Sequence, residues 1–214
     1  MVLDFQYWTE SFTALGGLSL AVLQFLYGKY KEQKADKEIA NLNADLSPGF
    51  EIIMTAERWQ LIDETLQRLM ASTGIDRVIF FIAKNGVGDP RRTYAFIQKR
   101  DTGDLWFHSF QNVALDDDYK IRLRELFSVG VHSIRDCTAL SVLTLIGGIY
   151  AEEGVLSSFW VKLQRFMSGP NAFYCYCSFS SHTGEISNIE KVRCAEAVRI
   201  ITPIIENSIV FNKV

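Results

Sequence analysis

The sequence predicts an α+β protein, in which an antiparallel sheet is flanked by N- and C-terminal helices and preceded by a long N-terminal helix. Two segments, one at each end of the globular part, repeat apolar residues at helical spacing, and β-branched and aromatic runs separated by turn residues lie between them. A long uncharged run near the N-terminus accounts for the additional helix. With 48% apolar and 22% charged residues, the composition is that of a globular protein.

The length of 214 residues predicts one domain with an appendage, because most domains hold about 100 to 200 residues. We expect residues 1–28 to form an apolar helix, residues 29–49 a charged helical stalk, and residues 50–214 the α+β domain. The net charge of −3 does not favour a nucleic-acid partner, which requires clustered Lys and Arg. The four cysteines lack a paired spacing, which indicates reduced thiols.

The run from Ser11 to Gly28 carries no charge and predicts a transmembrane anchor. As a helix it spans roughly 27 Å, close to the thickness of a thin bilayer core. Four lysines follow it within ten residues, so the positive-inside rule places the domain in the cytoplasm of a single-pass protein in an inner or plasma membrane. The alternative is an apolar helix buried in a soluble oligomer. The anchor residues assigned are Trp8, Phe12, Leu15, Leu18, Leu20, Val22, Leu23, Phe25, Leu26 and Tyr27.

The segment after the anchor mixes both signs of charge and predicts a helical stalk. Ala35, Ile39, Leu42 and Leu46 follow one another at spacings of four, three and four, which is the seam of a short coiled coil. Two heptads do not hold a stable dimer alone, so a solvated helix with an apolar stripe is the alternative. Pro48 ends the helix, and the domain begins after it.

The first half of the domain predicts a helix followed by an antiparallel meander. Thr55 is a suitable N-cap, and Trp59, Ile62, Leu66 and Leu69 recur on one face. Three runs rich in β-branched and aromatic residues follow and are separated by turns. The predicted strands are Arg77–Lys84, Thr93–Arg100 and Leu105–Gln111.

Asp116, Asp117 and Asp118 predict the start of a second helix, because carboxylates cap and stabilise helix N-termini. A calcium loop is the alternative, but the glycine and distal glutamate of an EF-hand do not follow. We expect this helix to bury Ile121 or Leu123, together with Leu126 and Phe127.

The last part of the domain predicts a buried helix, two strands and a closing helix. Residues 131–136 form a short strand or a linker, and an apolar segment from Thr138 to Tyr150 forms the buried helix. Ser187 and Glu190 match a capping box, and Pro203 is expected to bend or interrupt the closing helix. The strands are Leu156–Phe166 and Ala172–Ser181, and the closing helix is expected to bury Val192, Ala195, Val198 and Ile201.

Four residues are candidates for a ligand site. Tyr174 and Tyr176 alternate with Cys175 and Cys177, so the tyrosines lie on one face of the strand and the cysteines on the other. The tyrosine face is where a pocket is expected, although both rings also suit simple packing. Arg135 and Asp136 precede the apolar segment and are the polar candidates, with an ordinary loop ion pair as the alternative.

The sequence predicts no catalytic, metal or cofactor site. His108, His132 and His182 are scattered and none accompanies a nucleophile motif. Cys175 and Cys177 lack the further ligands that zinc requires, so we interpret them as packing residues.

The domain resembles the GAF family in its order of elements. The similarity covers about residues 55–209 and is carried by IYAEEGVLSSFWVKLQRF and AFYCYCSFSSHTGEISNIEKVRCAEAVRIITPII. The resemblance implies terminal helices on one face of the sheet, and a pocket or partner surface on the other. It also implies a mainly noncatalytic protein that binds a ligand, dimerises or transmits a signal through attached helices. The residue patterns of the cyclic-nucleotide-binding and bilin-binding branches are absent.

A more distant resemblance is to phage holins of the T4 type, through TALGGLSLAVLQFLY, FYCYCSFSS and KVRCAEAVRII. The predicted function is therefore a noncatalytic, membrane-anchored sensory or protein-interaction module that self-associates and binds a small ligand or protein. The alternatives are a membrane-lysis or lysis-timing protein with a regulatory domain, and a soluble oligomeric assembly protein.

Overall fold

The computed structural model describes residues 50–85, 90–100, 110, 112–168 and 171–211, all within one compact unit. The predicted anchor, the predicted stalk and nearly all of the predicted strand Leu105–Gln111 lie outside these residues and stay predictions. In chain order the elements are β1 (Phe50–Ile52), α1 (Ala56–Ala71), β2 (Arg77–Asn85), β3 (Pro90–Arg100), β4 (Val113–Ala114), α2 (Asp117–Val129), β5 (Val131–Ile134), a 3-10 helix (Cys137–Ala139), α3 (Leu145–Glu153), β6 (Ser157–Ser168), β7 (Asn171–Ser181), α4 (Asn188–Glu206) and β8 (Ile209–Phe211).

Six strands form one antiparallel sheet in the order β4-β3-β2-β7-β6-β5. The two central strands, β2 and β7, are far apart in sequence and pair so that Phe81 lies opposite Tyr176. β1 and β8 form a separate antiparallel pair, which joins the start of the described domain to its end. The predicted antiparallel sheet flanked by terminal helices is confirmed.

The two faces of the sheet differ in the helices that cover them. α4 packs against α1 and β6 on one side, whereas α2 contacts β5, β6 and α3 on the other. Alternate residues of β2 serve the two sides, because successive strand side chains point to opposite faces. We call the α1/α4 side the apolar face; it includes Val78, Phe80, Ile82, Phe159, Cys177 and Phe179. We call the α2/α3 side the polar face; it includes Arg77, Ile79, Phe81, Trp160, Tyr176 and Ser178.

The first two helices begin where the sequence predicts. The Thr55 hydroxyl accepts the Arg58 N–H at 3.4 Å, and α1 buries Ile62, Leu66 and Leu69. Asp116 caps α2, which confirms the capping interpretation of the three aspartates. Of the two candidates in α2, Leu123 is buried.

The sharp reversal from α2 into β5 depends on Gly130. This residue adopts φ +97°, a left-handed conformation that other residues rarely adopt. After this reversal the chain forms the strand Val131–Ile134, which pairs with β6 at the edge of the sheet. Of the two alternatives for residues 131–136, a short strand is therefore confirmed.

The buried helix is shorter and later than predicted. Instead of one helix from Thr138 to Tyr150, the chain forms the 3-10 helix, a loop, and then α3. The reason is competition from side-chain capping: Asp136 accepts the Thr138 N–H, and Thr144 accepts the Gly147 N–H, so a separate helix starts at each.

The closing helix buries only part of the predicted face. Val192 is 59% exposed and Ala195 is also exposed, whereas the prediction for Val198 and Ile201 is confirmed. Val192 lies two residues from Cys194, and two residues rotate a helix by about 200°, to the opposite side. The helix runs through Pro203 to Glu206 without interruption. Its buried residues are Cys194, Ala197, Val198, Ile201 and Ile205.

Candidate functional site

A small cavity lies on the polar face, between the sheet and the helices α2 and α3. The volume open to the centre of a water molecule is about 20 Å³, which is room for about one water. The walls are mostly aromatic and aliphatic, with a few polar groups. The lining residues are Arg77, Ile79, Phe81, Phe110, Tyr119, Ile146, Ile149, Tyr150, Trp160 and Ser178.

One carboxylate positions both helices over the cavity. The Oδ1 atom of Asp116 accepts the Tyr119 N–H at 2.9 Å and caps α2. Its Oδ2 atom accepts the Leu145 N–H, at the first residue of α3, at 2.6 Å. Because the N–H groups of a first turn have no partner within the helix, a single side chain here satisfies two helices. The relative placement of α2 and α3 therefore depends on Asp116.

The loop before α3 is held close to the helix. At Gly147 a Cβ atom would overlap the backbone carbonyl of Ser141, so only glycine fits. Gly147 and Gly148 together place two residues of low helix propensity within a helix of nine residues. The stability of α3 therefore comes from its contacts and caps.

Buried hydroxyls connect α3 to the sheet. Tyr150 donates its hydroxyl to Ser158 Oγ at 2.9 Å, and the Trp160 indole N–H lies 3.0 Å from both of those oxygens. Ser158 Oγ is 3.3 Å from Ser178 Oγ. Burial raises the pKa of Tyr150, so the phenol stays protonated at neutral pH.

A second set of hydroxyls connects α2 to the sheet. The Tyr119 and Tyr176 oxygens are 2.6 Å apart, and Tyr176 is also 3.2 Å from Thr93 Oγ1. Burial raises the pKa of Tyr119, and the neighbouring Tyr176 raises it further. Burial raises the pKa of Tyr176 as well. Both phenols therefore act as hydrogen-bonding groups, not as proton acceptors.

The charged group of the cavity is Arg77, at the start of β2. It is 1% exposed, donates through Nη2 to Ser180 Oγ at 3.1 Å, and forms an ion pair with Glu153 of α3. Removing a guanidinium from water is costly unless it is paired and hydrogen-bonded. The Glu153 carboxylate and the Ser180 hydroxyl meet that requirement.

The four predicted ligand residues do not form one site. Tyr176 lies at the cavity side of the sheet, and Tyr174 packs edge-to-face on Phe127 of α2 with ring centroids 4.8 Å apart. Arg135 is exposed, and its Nε atom lies 3.7 Å from Glu185. Asp136 is also exposed and caps the 3-10 helix through Thr138. A ligand role for any of the four stays a prediction.

The cysteines are buried thiols with low reactivity. Burial raises the pKa of Cys137 and of Cys194 to about 12, and it also raises the pKa of Cys175 and Cys177. All four are therefore protonated at neutral pH, whereas a nucleophile or metal ligand must be a thiolate. Within the described ranges, no group of three or more Cys, His, Asp or Glu is arranged to hold a metal ion.

Neither of the two described histidines lines the cavity. His182 Nδ1 is 2.5 Å from Asp76 Oδ1, and its backbone N–H donates to the same carboxylate. His132 lies between Arg122 and Glu125, and its ring packs on Trp160. Burial lowers the pKa of His132, and the charge of Arg122 lowers it further.

Sequence reasoning missed Arg77, Tyr150 and Trp160 as site residues. One signal was available: Arg77 is the single charged residue at the head of an apolar strand, RVIFFIA. Such a charge is either at the solvent-exposed end of the strand or is buried with a partner. Nothing in the sequence identifies Glu153 as that partner.

Comparison with solved structures shows a GAF-like fold. The room-temperature structure of a far-red cyanobacteriochrome photoreceptor matches with a TM-score of 0.50 at 8% identity, over 84% of this chain and 97% of that one. The GAF domain/HD domain protein from Geobacter sulfurreducens matches with a TM-score of 0.50 at 10% identity, over 70% and 92% of the two chains. At these identities the similarity concerns the fold alone. No protein-family model matches the chain, and no curated protein matches its sequence.

The described part of the chain includes no helix with both the length and the apolar character needed to span a membrane.

Proposed function

We propose that this protein is a noncatalytic, membrane-anchored sensory or protein-interaction module in which occupancy of the cavity changes the packing of α2 and α3. One observation carries the proposal. The polar face of the sheet keeps a cavity and connected buried hydroxyls beneath two helices that a single carboxylate holds together. A ligand shifts such an arrangement by its difference in affinity for the two packings.

The chemistry of the lining supports binding without catalysis. The described polar groups that line the cavity are two phenols, an indole, one serine hydroxyl and a guanidinium. The phenols keep their protons, because burial raises their pKa values. These groups can orient a ligand through hydrogen bonds, and none of them is a ready proton acceptor at neutral pH. The GAF-like fold is consistent with this, since one structural neighbour is a photoreceptor.

The pairing of β1 with β8 offers a route from the domain to the stalk. β1 begins at Phe50, directly after the predicted stalk, and pairs with β8, which follows α4. The Arg58 guanidinium also donates to the Asn207 carbonyl at 2.9 Å. α2 and α4 both contact β6, from its two sides, so a change in the packing of α2 reaches α4 through this strand and acts on the residues that continue the stalk. We propose that the stalk carries this change between copies of the chain.

The coupling is tested by filling the cavity and measuring contact between stalks. The four native cysteines are buried, so a single Ala40→Cys substitution gives a specific crosslinking site. Ile146→Phe enlarges a lining residue and is expected to change the disulfide yield between copies at least about twofold, because overpacking displaces α3. Ile189→Phe, at a position 71% exposed, is the control and leaves the yield unchanged. Equal yields in both variants contradict the coupling.

The anchor is tested by fractionation of the full chain with a C-terminal reporter that is active only in the cytoplasm. Retention in carbonate-washed membranes with an active reporter is expected. Leu20→Arg, at the centre of the apolar run, should release the chain, whereas Leu3→Arg outside the run should not. Retention with a silent reporter would favour a lysis-type protein. A soluble chain would favour the assembly protein, with residues 11–28 as an oligomer interface.

A further inference from the structure

Arg77 is a buried cation that faces the cavity. Of the described lining residues it alone carries a charge, and it is 1% exposed. A guanidinium offers a planar fork of donors that matches a carboxylate. Burying a guanidinium among apolar side chains is costly, so the fold requires an anion beside Arg77.

The anion that Arg77 meets comes from a cover helix and not from the sheet. Glu153 is the last residue of α3, and its carboxylate pairs with the Arg77 guanidinium. On the sheet, Arg77 donates a hydrogen bond to Ser180 of β7. The cation therefore belongs to the rigid part of the site, whereas its counter-ion belongs to the part that must move to admit a ligand.

The cavity as it stands does not hold a ligand larger than water. Its volume of about 20 Å³ admits one water, so a ligand enters only when α3 moves away from the sheet. Gly147 and Gly148 have lower helix propensity than alanine and so weaken α3. At its C-terminal end, α3 is held to the sheet by the ion pair between Glu153 and Arg77. A ligand carboxylate that replaces the Glu153 carboxylate would release α3 from the sheet at this ion pair. The same carboxylate would also balance the charge of Arg77.

The remaining walls define the rest of such a ligand. Phe81, Phe110, Tyr119, Tyr150 and Trp160 contribute aromatic surface, and Ile79 and Ile146 contribute aliphatic surface. With one cation in the lining, a single negative charge is balanced and a doubly charged phosphate is not. The structure itself shows that a carboxylate fits against Arg77.

We propose that Arg77 binds the carboxylate of a small aromatic or branched apolar acid, and that Glu153 occupies this position in the absence of the ligand. The inference rests on the cavity of the proposed function and names the ligand class. Glu153 is then an internal competitor, so removing its charge strengthens binding of the acid. The neutral analogue of the same shape gains nothing, because it does not compensate the guanidinium.

The test compares benzoate with benzamide on the full chain by isothermal titration calorimetry. Glu153→Gln is expected to bind benzoate at least about tenfold more tightly than the unsubstituted protein, the scale of one charged hydrogen bond. Benzamide shows no such gain. Glu152→Gln, on the neighbouring exposed residue, is the matched control and behaves as the unsubstituted protein. Adding Arg77→Gln to Glu153→Gln removes the preference for benzoate.

Equal benzoate affinity in Glu153→Gln and the unsubstituted protein overturns the inference, as does an equal gain for benzamide. If Glu153→Gln does not fold in buffer, refolding with benzoate but not with benzamide supports it, and refolding with neither overturns it. The disulfide yield between Ala40→Cys copies separates the two proposals. The expected gain in benzoate affinity with no change in that yield on adding benzoate keeps the carboxylate site and contradicts the sensory coupling. Equal gains for benzamide and benzoate, with a yield that changes on binding, overturn the carboxylate site and keep the sensory coupling.

Discussion

The two faces of the central sheet use the same strands and opposite chemistry. On the apolar face, Phe80, Cys177 and Phe179 are fully buried, and the hydrophobic effect holds α1 and α4 in place. On the polar face, the residues that alternate with them include Arg77, Tyr176 and Ser178, and their partners are hydroxyls and a carboxylate. The sheet residues of the apolar face contribute mainly burial, whereas those of the polar face combine burial with hydrogen bonds that require particular geometry.

In the proposed function, this difference explains why a ligand acts on the polar side of the sheet. Apolar side chains interdigitate at high density and leave little free volume. On the polar face, a cavity of about 20 Å³ remains beneath α3, between aromatic and aliphatic walls that also carry hydrogen-bonding groups. In the proposed function the apolar face is therefore the scaffold, and the polar face is the side whose packing changes.

The largest expected effect comes from breaking the buried ion pair of the polar face. Glu153→Leu leaves the Arg77 guanidinium buried without its carboxylate and should lower the free energy of unfolding by about 3–5 kcal/mol. Adding Arg77→Met removes the stranded charge and should recover most of that loss. Urea denaturation of the two variants and the unsubstituted protein measures the cycle. A double variant as unstable as the single one would show that the charge is not the cause.

A matched pair of isoleucines compares the packing of the two faces. Ile201 of α4 is fully buried on the apolar side, and Ile146 of α3 lines the cavity. We expect Ile201→Ala to cost about 4 kcal/mol and Ile146→Ala about 2 kcal/mol, because a residue beside a void already lacks contacts. Ile200→Ala, at a position 48% exposed, should cost less than about 0.5 kcal/mol. Equal losses in the free energy of unfolding for Ile201→Ala and Ile146→Ala would contradict the difference in packing between the two faces.

The sequence predicts the apolar face better than the polar one. Ile62, Leu66 and Leu69 lie on the predicted face of α1, because helical periodicity is a local property that the sequence displays directly. In α4 the same reasoning fails for Val192, since the face that packs is chosen by α1 and the sheet and not by the helix itself. Asp136 and Thr144 each cap a separate helix and so divide the predicted buried helix. Hydrophobic periodicity does not indicate such capping.

The candidate site depends on contacts between residues distant in sequence. Alternation along β7 indicates correctly that Tyr176 lies on one face of the sheet, whereas Cys175 and Cys177 lie on the other. The partner of Arg77, by contrast, lies 76 residues later at the end of a helix whose bounds the sequence does not give. Local patterns therefore identify which strand contributes to the site, whereas its charge pairing is a property of the tertiary structure.

Asp116 provides a smaller test of the polar face, because it caps two helices. Asp116→Ala removes the acceptor for the Tyr119 and Leu145 N–H groups and should cost about 2 kcal/mol, roughly two single caps. The neighbouring Asp117 is 92% exposed in an ion pair with Lys120, so Asp117→Ala should cost less than about 0.5 kcal/mol. Thermal unfolding gives both values, and hydrogen exchange should rise in the first turn of α3 only for Asp116→Ala. Similar losses for the two variants would contradict the double cap.

The smallest effect is expected on the apolar side, at the carboxylate that joins α4 to the loop before β2. Glu190 accepts the Gly74 N–H at 2.6 Å and the Ser187 N–H at 2.8 Å, and these bonds hold its pKa below the ordinary value of 4.5. Because the folded state has the lower pKa, the stabilisation is complete above pH 4.5 and is lost as the pH falls through the lowered pKa. Glu190→Ala should therefore cost about 1 kcal/mol at pH 7 and progressively less in acid, as measured by urea denaturation at several pH values.

The control is Ile189→Ala, at the adjacent exposed position, which should show no such pH dependence. A cost for Glu190→Ala that stays constant down to pH 3 would mean that its charge does not contribute, and that the bonds of the neutral side chain suffice for this junction.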